Sequence, residues 1–394
     1  MKILFISSPS FVDCDLPLIK EYQNKNIDIT YLLLVNPYEL RSTLIDIKNI
    51  YPKTGIFSAK IYDELNYFSK YLSMDKFLIC NRHGKSKKTV SYWKEKLILY
   101  KFIKKGKYNI IHTNLLFSNE FKFIYNLSNV ITTIHDPFPH SGEDWNYKKS
   151  QYFNAINNSK GLVLLNSEQK NLFCEKYNVS DKIILNNKLG VYDVINIFKQ
   201  DKPHKENNAP NVLFFGRIAP YKGIEYLCEA MKLVHEEIPE ATLTIAGKGN
   251  LYFDYNPYKN LDYFEFRNYF IGANELADLL NRASITVCPY VDATQSGVIM
   301  TSMAMGKPVI ATNVGGLGEI IEDGFNGLLV PPKNPKELAK AIIKLLKNKE
   351  SLKTFQDNIA TTAQTSLSWN SIADKYLYFY NNICFGINAN FRGK

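Results

Sequence analysis

The sequence predicts an α/β chain built from two doubly wound parallel-sheet domains joined by a polar linker. Three observations carry this reading. Short β-branched runs alternate with longer amphipathic stretches, the pattern of strands and helices that builds a parallel sheet covered on both faces. The alternation stops at the polar stretch 199–210, which holds Pro203 and Pro210 and few apolar residues, and restarts at once after it. A length of 394 residues suits two domains.

In the first half the strands are expected at 2–7, 29–34, 109–112, 130–134 and 161–165, because these runs are rich in Ile, Leu and Val. Helical periodicity falls at 16–25, 93–105 and 167–177, with Ser167 as the N-cap of the last. In the second half strands are expected at 212–215, 241–246, 269–271, 285–287, 309–311 and 328–330. Helices are expected at 224–237, 275–283, 298–305 and 335–347. Asn334 followed by Pro335 starts the last of these, a capping side chain with proline at the first helical position. The chain ends in an apolar, aromatic helix over 369–383. The domains read as 1–195, a linker at 196–210, and 211–369.

The formal net charge is +10. Nearly all of the excess sits between Arg82 and Lys107, where ten basic residues accompany one acid, Glu95. Such a segment attracts anionic lipid, nucleic acid or acidic substrates; a solvated helix face is the plainer alternative. Tyr92, Trp93, Tyr100 and Phe102 interleave with the lysines, and several of them are expected to pack inward. The six cysteines form no Cys-x-x-Cys pair and stand beside no histidine at ligand spacing, so they read as reduced thiols. The apolar run at 3–6 is too short for a signal core or a membrane span. A cytoplasmic protein follows as the expectation.

The densest chemistry lies in the second half. Gly216-Arg217 directly follows a strand, and Lys222-Gly223 follows close behind. Two fixed cations at one strand tip suit a departing nucleoside diphosphate, which carries about two negative charges. The loop Pro289-Tyr290-Val291-Asp292-Ala293-Thr294-Gln295-Ser296-Gly297 leads into a helix whose free N–H groups offer a second phosphate site. Gly315-Gly316 sits past another strand end, where backbone can approach a ligand, and Asp323-Gly324 opens a structural turn.

Taken in order, these strings resemble the retaining glycosyltransferase family 4. They are Gly216-Arg217 with Lys222-Gly223; Ala246-Gly247-Lys248-Gly249; the loop and helix at 289–305; Gly306-Lys307-Pro308-Val309-Ile310-Ala311-Thr312; Gly315 to Glu319; and Asp323 to Pro331. The resemblance is strong over 211–370. It is weaker but in register at Ile111-His112-Thr113, Thr133-Ile134-His135-Asp136, Leu165-Asn166-Ser167-Glu168 and Leu189-Gly190-Val191.

That resemblance implies the GT-B fold, two Rossmann-like domains facing across a cleft, with the terminal helix (about 370–387) crossing back to the first. It implies that Arg217 and Lys222 bind the donor diphosphate and that His135 faces the donor sugar. Gly216, Thr294, Gln295, Ser296, Gly297, Val298, Thr301, Gly316 and Glu319 would complete the donor site. The chain departs from the family where two glutamates usually flank the loop-helix: Ala293 and Thr301 stand there. The reading is that Thr294, Gln295 and Ser296 replace the first glutamate's contacts.

The opening segment, Ser8 to Asp15, lacks the family's glycine-rich turn. Its Asp13 and Asp15 are acceptor-side candidates, and no metal is expected. The function expected is retaining transfer of a UDP- or GDP-linked sugar to a saccharide or lipid-linked acceptor hydroxyl in surface-polysaccharide synthesis, with no cofactor. Also expected are peripheral contact with an anionic membrane through 82–107, at its inner face, and no nucleic-acid partner. A nucleotide-sugar epimerase and an inactive nucleotide-sugar binder are the alternatives.

Overall fold

Parallel strands buried on both faces need continuous apolar runs, and the chain supplies them. In the computed structural model, which describes residues 1–83, 89–117, 119–139, 149–179, 183–199 and 209–386, each run expected as a strand, except that at 269–271, falls in a strand of one of two main sheets. The chain divides into two compact units. The first takes the chain to Pro137, resumes with the described residues from Lys149 to Leu189 and regains the terminal helix from Trp369; the second takes Phe138 and Pro139 and the chain Gly190–Ser368.

The first unit opens with β1 (Lys2–Ser7), α1 (Val12–Asn24) and β2 (Asp28–Val35), then a small hairpin of β3 (Arg41–Ser42) and β4 (Ile45–Asp46). β5 (Gly55–Ser58), β6 (Phe77–Asn81), α2 (Val90–Gly106), β7 (Ile110–Thr113) and β8 (Asn129–Ile134) follow. α3 (Lys149–Asn158), β9 (Gly161–Leu164), α4 (Lys170–Tyr177) and β10 (Ile183–Asn186) complete the sheet. Its strand order is β10-β9-β8-β7-β1-β2-β6-β5, parallel except for β5. The order reverses between β1 and β7, so ligand-facing loops belong at the carboxyl ends of those strands.

The second unit holds β11 (Asn211–Phe215), α5 (Ile224–Glu237), β12 (Thr242–Ala246), β13 (Phe264–Arg267) and α6 (Ala273–Arg282). β14 (Ile285–Cys288), α7 (Gly297–Ala304), β15 (Val309–Thr312), β16 (Gly327–Val330), α8 (Pro335–Lys347) and α9 (Lys349–Gln364) follow. Its six strands are all parallel in the order β13-β12-β11-β14-β15-β16, reversing between β11 and β14. The last helix, α10 (Trp369–Phe385), belongs to the first unit, where the Tyr380 hydroxyl meets that of Tyr22 on α1 at 3.0 Å. Its aromatic richness is thereby explained.

Four local expectations are corrected. The strand placed at 269–271 is instead β13, whose Phe264–Arg267 pairs with Leu243–Ala246. As the edge strand it alternates apolar and charged residues rather than running apolar, and 269–271 leads to the N-cap Gly272 of α6. Helix α4 starts later than expected, with Gln169 at its N-cap position; Asn166 Oδ1, not Ser167, accepts the Gln169 N–H at 3.2 Å. Helix α1 starts earlier, so Asp13 and Asp15 lie in its first turn and not in a loop. The 3-10 turn Asp193–Phe198 and the residues before it from Gly190 group with the second unit, while 200–208 lie outside the described residues. At Asn334 the capping expectation is met: its Oδ1 accepts the Glu337 N–H, with Pro335 at the first helical position. Among the described residues no helix is long and apolar enough to cross a membrane.

Candidate functional site

In the second unit the loops after β11 and β14 flank the point where strand order reverses, and they lock onto each other. Pro220–Lys222 forms a 3-10 turn that ends at Gly223, which has φ +61°. A Cβ on Gly223 would lie 2.1 Å from the Pro289 carbonyl oxygen, so only glycine allows this approach. The Val291 N–H donates to the Tyr221 carbonyl at 2.8 Å. The loop after β15 joins them: Gly315, at φ +48°, places a would-be Cβ 1.7 Å from the Ala293 carbonyl oxygen. Gly216 lies against Val298 of α7. Three strand tips and one helix start thus converge.

The two cations stand on aromatic supports. Lys222, half-buried, holds its Nζ 3.7 Å from the ring centroid of Tyr290, which is fully buried, and 5.0 Å from that of Tyr221. A guanidinium nitrogen of Arg217 donates to the Tyr221 hydroxyl at 2.9 Å, and the group itself is exposed. Each ring contact contributes roughly 0.5–2 kcal/mol. Neither tyrosine stood out in the sequence. Their position at strand ends beside the cations is the signal that would have found them.

Around the start of α7, Ser296 is the N-cap and its Oγ accepts the Ile299 N–H at 3.4 Å. Thr294 and Ser296 are buried; Gly297 and Val298 are half-buried in the first turn. Gln295 is half-buried, and its Oε1 is enclosed without a hydrogen-bond partner among the described residues. A buried orphan acceptor calls for a partner from outside. Thr301 is buried, and its hydroxyl donates to the Gly297 carbonyl at 2.8 Å, so its proton serves the helix. Gly316 is buried, and half-buried Glu319 ends the turn Gly315–Glu319.

The first unit has its own cluster at the β1–β7 reversal. A small pocket is lined by Asp15, His112, Asn114, Thr133, His135 and Tyr376, among others. His112 is wholly buried, bonded through Nε2 to the Thr133 hydroxyl at 2.7 Å and through Nδ1 to the Tyr380 hydroxyl. Burial holds its pKa down at about 3, so it is neutral. His135 stacks on Phe11 at 4.4 Å, and its buried Nε2 has no hydrogen-bond partner among the described residues. Burial lowers its pKa to about 4 against the opposing charge of Asp136. Its imidazole is therefore neutral near pH 7.

The two acidic candidates separate. Asp15 is 1 % exposed and turned into the unit, accepting from the Tyr31 hydroxyl at 2.9 Å and the Asn114 amide at 2.5 Å. Burial pushes its carboxyl up to about 8, outweighing these bonds. Asp13 is half-buried, accepts the Cys14 N–H at 3.1 Å and is raised to about 6 by burial. Of the pair, only Asp13 presents surface to a ligand. The described residues contain no group of three His, Cys, Asp or Glu that could hold a metal ion.

Residues 209–348 match the family model described as glycosyl transferases group 1. Among sequence relatives, an uncharacterised glycosyltransferase of Methanocaldococcus jannaschii is 31 % identical over 217 residues, covering 53 % of this chain and 57 % of the relative. The alpha-D-kanosaminyltransferase of Streptomyces kanamyceticus is 28 % identical over 180 residues, covering 45 % and 47 %. The chain spans about half the length of the curated relatives it matches. Solved structures match almost end to end. Anabaena HepE in complex with UDP aligns with TM-score 0.65 and 17 % identity, covering 97 % of this chain and 100 % of that one. Sucrose-phosphate synthase of Thermosynechococcus elongatus aligns with TM-score 0.67 and 18 % identity, covering 97 % and 99 %. These neighbours are GT-B glycosyltransferases, and the two parallel-sheet, Rossmann-like units have their fold.

Proposed function

We propose that the chain is a retaining glycosyltransferase that moves a sugar from a nucleoside-diphosphate donor to an acceptor hydroxyl in surface-polysaccharide or lipid-linked saccharide synthesis. The observation that carries this is the pairing of Arg217 and Lys222 with the start of α7 at the sheet's reversal point. Cations on aromatic supports and the N-terminus of a helix suit a diphosphate that gains charge as it leaves. UDP is the favoured nucleotide, because HepE was crystallised with UDP and with UDP-glucose.

In the reaction the acceptor oxygen forms a bond to the anomeric carbon while the bond from that carbon to the phosphate oxygen breaks. The electron pair goes to the diphosphate, and the acceptor's proton passes to the departing phosphate oxygen on the same face. The protein holds the partners and stabilises the leaving group. Gln295 Oε1 accepts from a sugar hydroxyl, taking the place of a carboxylate at Ala293. In the first unit, His135 Nε2 is an unpartnered nitrogen on a neutral ring, suited to a hydroxyl of a ligand bound there.

The test is incubation with UDP-, GDP-, CDP- and dTDP-sugars, with and without saccharide acceptors, followed by product analysis. Release of nucleoside diphosphate with formation of an α-linked product from an α-donor is expected. Conversion of donor alone into an epimer, or tight binding with neither transfer nor slow hydrolysis, would refute the reading.

A further inference from the structure

Among the described residues, helix α2 buries one face against the core. Leu99 and Ile103 join a core cluster with Leu4, Ile6, Leu34 and Val130, and Tyr92 and Glu95 turn inward beside them. On the opposite face Val90, Trp93 and Leu97 are 85 %, 56 % and 51 % exposed. Spacings of three and four residues put these side chains in one stripe along the helix. Lys94, Lys101, Lys104 and Lys105 are exposed on the same half of the helix and border that stripe. Lys96 Nζ sits 5.1 Å from the Trp93 ring and Lys104 Nζ 5.6 Å from the Tyr100 ring. The inward packing expected of the aromatic residues holds for Tyr92 and fails for Trp93. Lys85, Lys87 and Lys88 of the basic segment lie outside the described residues.

One exposed leucine needs no explanation. Three large apolar side chains in register, with a tryptophan among them and lysines on both sides, are the composition of a helix that lies in a membrane interface. A soluble polyanion would use the lysines but has no apolar phase for Val90 and Leu97. We infer that α2 docks the first unit on an anionic lipid bilayer, with Trp93 and Leu97 entering the headgroup layer and the lysines meeting lipid phosphates. The contact extends the basic-segment reading from charge attraction to insertion, and it stands whether or not the chain transfers a sugar.

The test is co-sedimentation of the full chain with vesicles of phosphatidylcholine, alone or mixed with phosphatidylglycerol. Binding is expected only to the anionic vesicles and should fade as salt rises. Lys101→Glu with Lys104→Glu should weaken it by about 30-fold or more, since each lysine near the surface contributes roughly 1 kcal/mol. Trp93→Ser with Leu97→Ser should weaken it by about tenfold although the charge is unchanged. All four positions face solvent, so circular dichroism of the variants should match the parent. Donor turnover without vesicles should also match, which separates this contact from the transfer reaction. The inference is overturned by absence of vesicle binding, by equal binding to neutral vesicles, or by undiminished binding of the Trp93, Leu97 variant. Retention on a DNA duplex without vesicle binding would assign the lysines to nucleic acid and overturn it too.

Discussion

Replacing Lys222 by methionine removes one charge from the candidate diphosphate site and leaves most of the side chain. The aliphatic stem can still cover Tyr221 and Tyr290; the interactions lost include that of Nζ with the Tyr290 ring at 3.7 Å. At a half-buried site such a contact is worth about 1 kcal/mol. In a unit of this size that lowers Tm by about 2–4 °C, so the variant should fold. The effect on the ligand is larger. Two unit charges about 4 Å apart attract by about 4 kcal/mol at an effective dielectric near 20, and desolvation of the ammonium offsets part of this. Loss of one preorganised donor of this kind costs about 10²–10³ in turnover. Calorimetric titration with UDP should therefore show weaker binding, while uridine, which lacks phosphates, should bind as before. Arg217, exposed and held by the Tyr221 hydroxyl, should show the same pattern when changed to alanine. UDP affinity within twofold of the parent, together with parental turnover in a folded Lys222→Met protein, would show that the cation does not hold a leaving diphosphate.

Two further outcomes follow from buried polar groups. Gln295→Ala should lower turnover by about tenfold or more while UDP affinity stays nearly constant, because its unpartnered Oε1 is assigned to the sugar and not to the phosphates; unchanged transfer kinetics would remove that role. Asp15 is an acid whose folded pKa, about 8, lies above its unfolded value near 4. The folded state thus binds more protons in that window, and the contribution to stability, fully present below pH 4, is lost as pH rises towards 8. Asp15→Asn should flatten the decline of urea stability over pH 4–8, and a variant declining as steeply as the parent would contradict the burial of an unionised carboxyl.

Much of the fold was legible along the chain. Strands buried on both faces must be apolar without interruption, so Ile3 to Ile6, Val212 to Phe215 and Ile285 to Val287 announced themselves. Within the second unit the loops that carry Arg217, Lys222 and Thr294 to Gly297 lie together, since each follows a strand end and parallel strands bring all their carboxyl ends to one edge. The edge strand β13 was not legible, because half its side chains are charged.

What the sequence by itself determined was therefore the parallel architecture, the two switch points' worth of strand-end loops, and the cations at one of them. Tertiary structure alone decided which way a side chain turns once its element is formed. Asp13 and Asp15 looked equivalent in sequence; the helix turn sends Asp15 to Tyr31 and to Asn114, 99 residues away, and leaves Asp13 half outside. His112 finds Tyr380 across 268 residues, a pairing with no local trace. Helix α2 carries apolar residues on both faces, so periodicity could not say whether Tyr92 or Trp93 would be covered. The sheet beneath can cover only one face of a helix, and the choice fell on the face bearing Leu99 and Ile103, leaving Trp93 and Leu97 in water.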